Sequence, residues 1–453
     1  MKSFSNTKCP TWILIYFLSW VQYESISAQN PISPPGYYLA DPSAQSWNDS
    51  ILYLYTSTDI SCDHWCSYQH DVLYTLDMKK WYVVSTNFFS KGYNDQVPYN
   101  DNYLFAPDCA KKGDEYIMFY CQPDKKNALG TAISNSPIGP FSDGQKLHTG
   151  DAHSKIDPSV FIDDDGTSYI VWGQRHVRMA VLESDMRTID MSTLQDSIIT
   201  KEEHFFHEGA YMTKRNGTYY LVYADGSRNK KPTCLGYATS NSPFGPYEYR
   251  GVIIDNAGCN PGNWNNHGSI FNYQDQWYVF YHRSTHGCRM FRKSCVEKIE
   301  FLADGSIPEV EMTTQGALPP LNASEMLEAE RACFLSGNVR IEKESHRNEM
   351  LSQMKNGDQA VFKYLDFDKG VNAITLRYRT NEKGKLLLFT GSGADQQKVE
   401  EIELSSGATL ADWEEQKFTL PTITGTHAIT MEIIGDEEVS VDIDWLYFNQ
   451  VTQ

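Results

Sequence analysis

Residues 205–225, FFHEGAYMTKRNGTYYLVYAD, join one acid to one strand, and the strand recurs along the chain. Tyr219, Tyr220, Leu221, Val222 and Tyr223 form an aromatic and β-branched run of the kind that fills a sheet interior. Asn216-Gly217 ahead of it predicts a tight hairpin, and Glu208 lies upstream of that turn. Similar runs stand at residues 52–55 (LYLY), 116–120 (YIMFY), 169–172 (YIVW) and 278–281 (YVFY). With Leu52, Tyr116, Tyr169, Tyr220 and Tyr278 taken as equivalent, the step stays between 51 and 64 residues. A period of that length with several short strands per unit predicts a β-propeller of five blades. Two echoes about two blades apart agree: SNSPIGPF at 134–141 returns as SNSPFGPY at 240–247, and Asp41-Pro42-Ser43 returns as Asp157-Pro158-Ser159.

One such propeller accounts for only part of the 453 residues, so a second domain is expected. The formal charge of −19, from 39 Lys and Arg against 58 Asp and Glu, argues against a phosphate-backbone partner, which requires clustered cations. A neutral polymer suits this balance better. Aromatic residues make up 13% of the chain, and such rings both fill β cores and stack on sugars, so the figure does not choose between the two.

The first 28 residues read as an export signal: Lys2 and Lys8 are basic, 12–21 is an apolar run, and Ser25-Ile26-Ser27-Ala28 ends in small residues. The run is too short for a membrane helix, and no later stretch reaches about 18 uncharged apolar residues, so no membrane span is expected. Of ten cysteines, Cys9 falls in the signal, which leaves an odd number and at least one free thiol. Cys62 and Cys66 flank the short CDHWC loop, where a disulfide is expected if these thiols are not simply buried. A zinc reading of Cys62, His64 and Cys66 lacks a second ligand pair at metal-site spacing.

Asp41, Asp157, Glu208 and His267 (in NNHGSIF) each open a blade, and innermost propeller strands converge on the axis. Each acid has a plainer reading. Asp41 precedes Pro42, which favours extended backbone, and an Asp-Pro side chain can merely cap a turn. Asp108 in FAPD reads as a turn acid in preference to an axial one, and Asp163-Asp164-Asp165-Gly166 as a hairpin turn, since the later ligands of a calcium loop are missing. Three carboxylates brought together on an axis are costly to bury unless they share protons or work. The regular placement therefore favours a site.

These residues resemble glycoside hydrolase family 43, from about Tyr37 to about Gly316. The resemblance implies a five-bladed propeller with Asp41 (in ADPSA) as general base, Asp157 (in KIDPSVF) as the acid that orients and tunes its neighbour, and Glu208 (in HEGAYM) as general acid. It implies His267 as the central-channel histidine, which contacts substrate, water or a calcium ion, and Arg292 as a substrate-side arginine. Phe105 stands where the family often has Trp and is expected on the substrate. Inversion then needs one protonated carboxyl and one ionised carboxylate about 6.5–9.5 Å apart with water between, and Asp157 beside Glu208 is expected to hold the acid's proton more tightly.

Residues 30–318 are thus expected as the propeller, 319–327 as a linker and 328–453 as an all-β sandwich, from alternating runs such as 373–378 and 427–434. The sandwich resembles a family 6 carbohydrate-binding module, which implies a structural calcium on Glu328, Glu330 and Asp444; Gln359 stands where many members have a sugar-stacking ring. The implied activity is that of an exported enzyme that removes α-L-arabinofuranosyl or β-D-xylosyl units from plant polysaccharide, with no cofactor in the chemistry. The alternatives are a galactan or endo-arabinan hydrolase, or a glycan-binding propeller without catalysis. The fructan-cleaving Asn-Asp-Pro-Asn signature is absent, because Ala40 precedes Asp41 and Ser43 follows Pro42.

Overall fold

The computed structural model describes residues 25–451 apart from 28, 49, 124–127, 151–153, 229–230, 346 and 406–411. Five antiparallel sheets follow one another along the chain. Blade one consists of Leu39–Gln45, Leu52–Thr58, Gln69–Thr75 and Lys80–Phe89, and blade two of Phe105–Lys112, Glu115–Gln122, Ala128–Ser134 and Ser142–Lys146. Blade three is Ser159–Ile162, Ser168–Trp172, Arg178–Leu182 and Ile189–Gln195; blade four is Phe206–Arg215, Thr218–Asp225, Cys234–Ser240 and Glu248–Asp255. Blade five has three strands, Ser269–Tyr273, Gln276–Thr285 and Cys288–Ile299. The recurring tyrosine-rich run is the second strand of every blade. At the turn that precedes it in blade four, Asn216 (φ 51°) and Gly217 (φ 81°) take the paired left-handed conformation of a two-residue hairpin.

Five apolar clusters fill the five gaps between neighbouring blades. One joins Ile117 and Phe119 to Ile170 and Trp172, and another joins Leu39 and Leu54 to Tyr273 and Phe280 across the gap between blades five and one. That last gap is also sewn by polar contacts. Asn30 donates to Val296 O and Glu297 Oε1, and its Oδ1 accepts from Val296 N. A Cys62–Cys288 disulfide links a blade-one loop to the last strand of blade five. This corrects the expected Cys62–Cys66 pairing: Cys66 sits at φ 61° with its thiol turned inward, 3.5 Å from Arg292 Nη2. Cys66 and six further free cysteines are buried.

The export signal expected over residues 1–28 lies outside the described residues except for Ser25–Ser27, which pair antiparallel with Lys80–Tyr82 at the outer edge of blade one. Among the described residues no helix is long and apolar enough to cross a membrane.

The C-terminal part is a sandwich of two sheets around one core of Leu, Ile, Val and Phe side chains. The stretch expected as a linker belongs to it: Leu321–Asn322 pairs with Gln359–Asp366, and Leu327–Glu328 with Val441–Gln450. The sandwich grips the propeller closely. Thr314 N and Gln315 N donate to Lys363 O, Arg331 Nη1 donates to Gln29 O, and Lys293 Nζ lies 2.5 Å from Glu349 Oε2.

Candidate active site

The inner strands of blades one, two and four are bulged where they reach the axis, and a left-handed residue stands at the matching place ahead of blade three. Asp41 (φ 54°), Ala106 (φ 31°), Asp157 (φ 53°) and Gly209 (φ 70°) are left-handed at corresponding places, with ladder shifts between Ala40 and Ser43, Phe105 and Asp108, and Glu208 and Tyr211. The extended backbone expected at Asp41 before Pro42 is therefore not what forms. A left-handed residue before proline is strained, and such strain persists where surrounding contacts enforce it. Those contacts lie just below. The hydroxyls of Ser43 and Ser159, one from each Asp-Pro-Ser copy, donate to the two oxygens of Asp108 at 2.6 and 3.0 Å, which Gln45 Nε2 and Val160 N also reach. Asp108 is thus a buried axial acid that ties blades one, two and three, not the turn acid expected. Ser269 Oγ donates to Pro42 O and Tyr211 Oη to Ala44 O, which brings in blades five and four.

The bulge register also separates the acids. Asp41 and Asp157 occupy the left-handed position itself, whereas Glu208 stands one residue earlier, so the four blade-opening residues are not at one equivalent place. All four nevertheless converge. Asp41, Asp157, Glu208, His267, Arg292 and Phe105 line one cavity of about 210 Å³, together with Trp65, Ile156, Gln174, His207, Trp264 and Asn265.

Asp41 has the strongest cationic surroundings. Arg292 Nη1 donates to its Oδ1 at 2.7 Å, and His267 Nδ1 stands 3.4 Å from that oxygen. Burial alone would raise this carboxyl, but Arg292, then His267, outweigh it and hold it well below the usual carboxylate range. Arg292 is 3% exposed and also donates to Asp59, with Nε to Oδ2 and Nη2 to Oδ1 both at 2.9 Å, while its plane covers Trp65. Asp157 is different. His267 Nδ1 is 3.9 Å from its Oδ2, and burial, joined by the charges of Glu208 and Asp41 and opposed by His267, pushes it up to about 8. The same two aspartates overcome the burial of His267 and raise its imidazole to about 9, so it is a cation between them.

Glu208 accepts from Gln174 Nε2 at 2.8 Å and Asn265 Nδ2 at 3.3 Å, with His207 Nε2 3.8 Å away. Asn265 also connects the two sides of the cavity. His282, pushed down to about 4 mainly by burial and hence neutral, accepts Asp41 N–H on Nδ1 and presents Nε2 to Asn265 O at 3.2 Å. An ionised carboxylate and a second carboxyl thus face one cavity from opposite ends of a fixed hydrogen-bond path. Such a pair can remove a proton from water on one side of a bond and deliver one on the other.

Sequence reasoning missed Trp65, Gln174 and Trp264, which lie in loops without a repeated signature, His282, which lies inside the strand Gln276–Thr285 directly after its tyrosine-rich run, and Asp59, whose partner is 233 residues away. Of the carboxylates expected to hold calcium in the sandwich, Asp444 is engaged by Arg377 and Asn348, Glu328 lies within reach of the charge of Asp444, and Glu330 is buried with its Oε2 unpartnered. Among the described residues no cluster of three or more His, Cys, Asp or Glu side chains is arranged to hold a metal.

Comparison with known proteins agrees with this geometry. Residues 28–307 match Glycosyl hydrolases family 43, and residues 328–450 match Carbohydrate binding module (family 6). A xylosidase/arabinosidase of Thermoclostridium stercorarium is 25% identical over 481 residues, 91% of this chain and 97% of the relative. An arabinoxylan arabinofuranohydrolase of Bacillus subtilis (strain 168) is 28% identical over 374 residues, 73% of this chain and 72% of the relative. A solved β-xylosidase/α-arabinofuranosidase from a compost microbial metagenome, in complex with xylotriose, superposes with a TM-score of 0.54 at 28% identity, covering 63% of this chain and 99% of that one. A Bacillus subtilis family 43 structure, at 24% identity and a TM-score of 0.53, covers 94% of this chain and shares the two-domain fold. The chain belongs to glycosyl hydrolase family 43 and carries a C-terminal sandwich of the carbohydrate-binding module family 6 type.

Proposed function

We propose that the protein hydrolyses α-L-arabinofuranosyl or β-D-xylosyl linkages of xylan-type polysaccharide by a single inverting displacement. The observation that carries this reading is the Asp41–Arg292 contact at 2.7 Å in the cavity that Glu208 also lines. Asp41, kept ionised, takes a proton from water as that water attacks the anomeric carbon. Glu208, oriented by Gln174 and Asn265, gives a proton to the departing glycosidic oxygen. Asp157 neither attacks nor delivers; burial and the charges of Glu208 and Asp41 make it hold its own proton tightly. His267 spans Asp41 and Asp157, and Trp65, Phe105 and Trp264 supply apolar faces for a sugar ring. A cavity of about 210 Å³ is below the roughly 300–1,000 Å³ of drug-sized ligand sites and suits a single small sugar unit. The names of the similar enzymes support the choice of pentosyl substrates.

The two acids perform the chemistry without a cofactor. The axis does not suit a calcium ion coordinated through His267. Its Nδ1 already serves two aspartates, its Nε2 edge packs on Gly209, and the channel below holds about 10 Å³, room for one water. Export before hydrolysis is part of this proposal, supported by the signal expected over residues 1–28 and by a polymeric substrate too large to enter a cell.

A panel of aryl glycosides with arabinoxylan, xylan, arabinan and galactan tests the reading. Release of arabinose or xylose is the expected result. Release of galactose or of arabinan fragments assigns another specificity to the same site, and binding without turnover removes the catalytic reading.

A further inference from the structure

We propose that Glu349, a residue of the C-terminal sandwich, is a positioning residue for the Asp41–Arg292 pair, which makes the sandwich part of the catalytic unit. The inference rests on the function proposed above. Arg292 and Lys293 are neighbours on the last strand of blade five, Cys288–Ile299, where successive side chains point to opposite faces. Arg292 turns to Asp41 and Asp59. Lys293, 3% exposed, turns to the sandwich and ends 2.5 Å from Glu349 Oε2.

The other oxygen of Glu349 reaches the segment that leads to the second member of the pair. Oε1 accepts from Gly36 N at 3.2 Å, a few residues ahead of the strand Leu39–Gln45 that carries Asp41. Between them, Tyr38 Oη meets His286 Nε2 at 3.2 Å, and that nitrogen is 4.0 Å from Glu349 Oε1. The Tyr38 ring stacks on Phe291, the residue before Arg292, at 4.2 Å and 9°. One carboxylate, 1% exposed, thus binds Lys293, the neighbour of the cation, and Gly36, on the segment that leads into the strand of the base.

The simpler role for such a contact is to hold two domains together. Other contacts already do that without reaching the pair: Arg331 Nη1 donates to Gln29 O at 2.9 Å, and Thr314 N donates to Lys363 O at 2.6 Å. Glu349 differs because loss of its charge strands a buried ammonium next to Arg292, and such a group moves to find another partner. Asp41 and Arg292 are 2.7 Å apart, so a shift of under an ångström in either strand changes the contact.

The test is a double-mutant cycle on kcat/KM with aryl arabinofuranoside and xyloside, using the full chain in four forms: wild type, Glu349→Gln, Arg292→Lys and the double variant. Glu349→Gln is expected to lower kcat/KM about tenfold in the wild-type background and by less than about threefold in the Arg292→Lys background, because it acts through Arg292. Arg331→Gln, at the same domain interface, is expected to lower the melting temperature but to have the same effect on kcat/KM in both backgrounds. If Glu349→Gln does not fold, Glu349→Asp enters the cycle in its place. Equal losses in both backgrounds, or no loss in either, overturn the positioning role while leaving the glycosidase reading intact. A wild-type chain that turns over no glycoside overturns both.

Discussion

Arg292 is the residue on which the proposed division of roles depends, and its removal has two separable effects. Its guanidinium is the largest influence that keeps Asp41 ionised against burial, and it also neutralises Asp59 through a two-point fork. An arginine beside an aspartate lowers its pKa by about 1–3 units. In Arg292→Met that lowering is lost, burial prevails over His267, and the Asp41 carboxyl moves above the ordinary carboxylate range. A base with a depressed pKa is active above that pKa and fails as pH falls through it, so the acidic limb of the kcat/KM profile must move to higher pH. Arg292→Lys keeps the charge but not the fork, and its acidic limb should move by about one unit. The stability effect runs in parallel: removing one partner of a buried pair costs about 3–5 kcal/mol, and the Met variant leaves Asp59 without its cation and Asp41 with His267 alone. The lysine variant is therefore the one to profile, with an aryl glycoside as substrate and thermal melting alongside. Activity that falls in both variants with an acidic limb fixed at the wild-type position would refute the claim that Arg292 keeps Asp41 ionised.

Three further perturbations have defined outcomes. Asp41→Asn should lower kcat by about 10²–10⁴-fold with little change in melting temperature, because Arg292 keeps Asp59 as a partner; turnover near the wild-type level would place the base elsewhere. Asp157 is raised from 3.8 to about 8 in the fold, so the native state binds the extra proton, and this stabilisation is complete below pH 3.8 and lost as pH rises to about 8. In Asp157→Asn that pH dependence disappears, and the variant should gain stability relative to wild type by a few kcal/mol between pH 5 and pH 9; parallel melting curves across that range contradict the assignment. Reduction of Cys62–Cys288, or Cys62→Ser, should cost about 2–4 kcal/mol and raise KM, because the bridged loop carries Trp65 to the cavity; a reductant that leaves both melting and KM unchanged would show that the loop is held by other means.

The recurring strands and their spacing made the propeller legible, because each blade buries its second strand on both faces and so repeats a nearly continuous apolar run. The residues that converge on the axis were legible for the same reason: they open successive blades. What the sequence could not show is the register within each bulge. Glu208 and Asp157 look equivalent along the chain, yet one stands before the left-handed residue and the other is that residue. Arg292 was expected beside the substrate from the family resemblance, but its ion pairs with Asp41 and Asp59 were not legible because those partners are more than 200 residues away. Asp108 resembled a turn acid because the serines that bind it belong to two other blades. In the sandwich, Gln397–Leu404 escaped notice because it is a charged, largely exposed edge strand, QKVEEIEL, with few of the residues that mark a buried strand. The expected linker escaped because a two-residue strand has no periodicity to read.

The most direct test of the account is the configuration of the sugar at the moment of release, followed by proton NMR of the anomeric signals during early turnover of an aryl arabinofuranoside or xyloside. Asp41 acting on water while Glu208 protonates the leaving oxygen predicts that the first product has the opposite anomeric configuration to the substrate, with the other anomer growing in only by mutarotation. A first product that retains the substrate's configuration would contradict the single displacement and make one of these carboxylates a nucleophile.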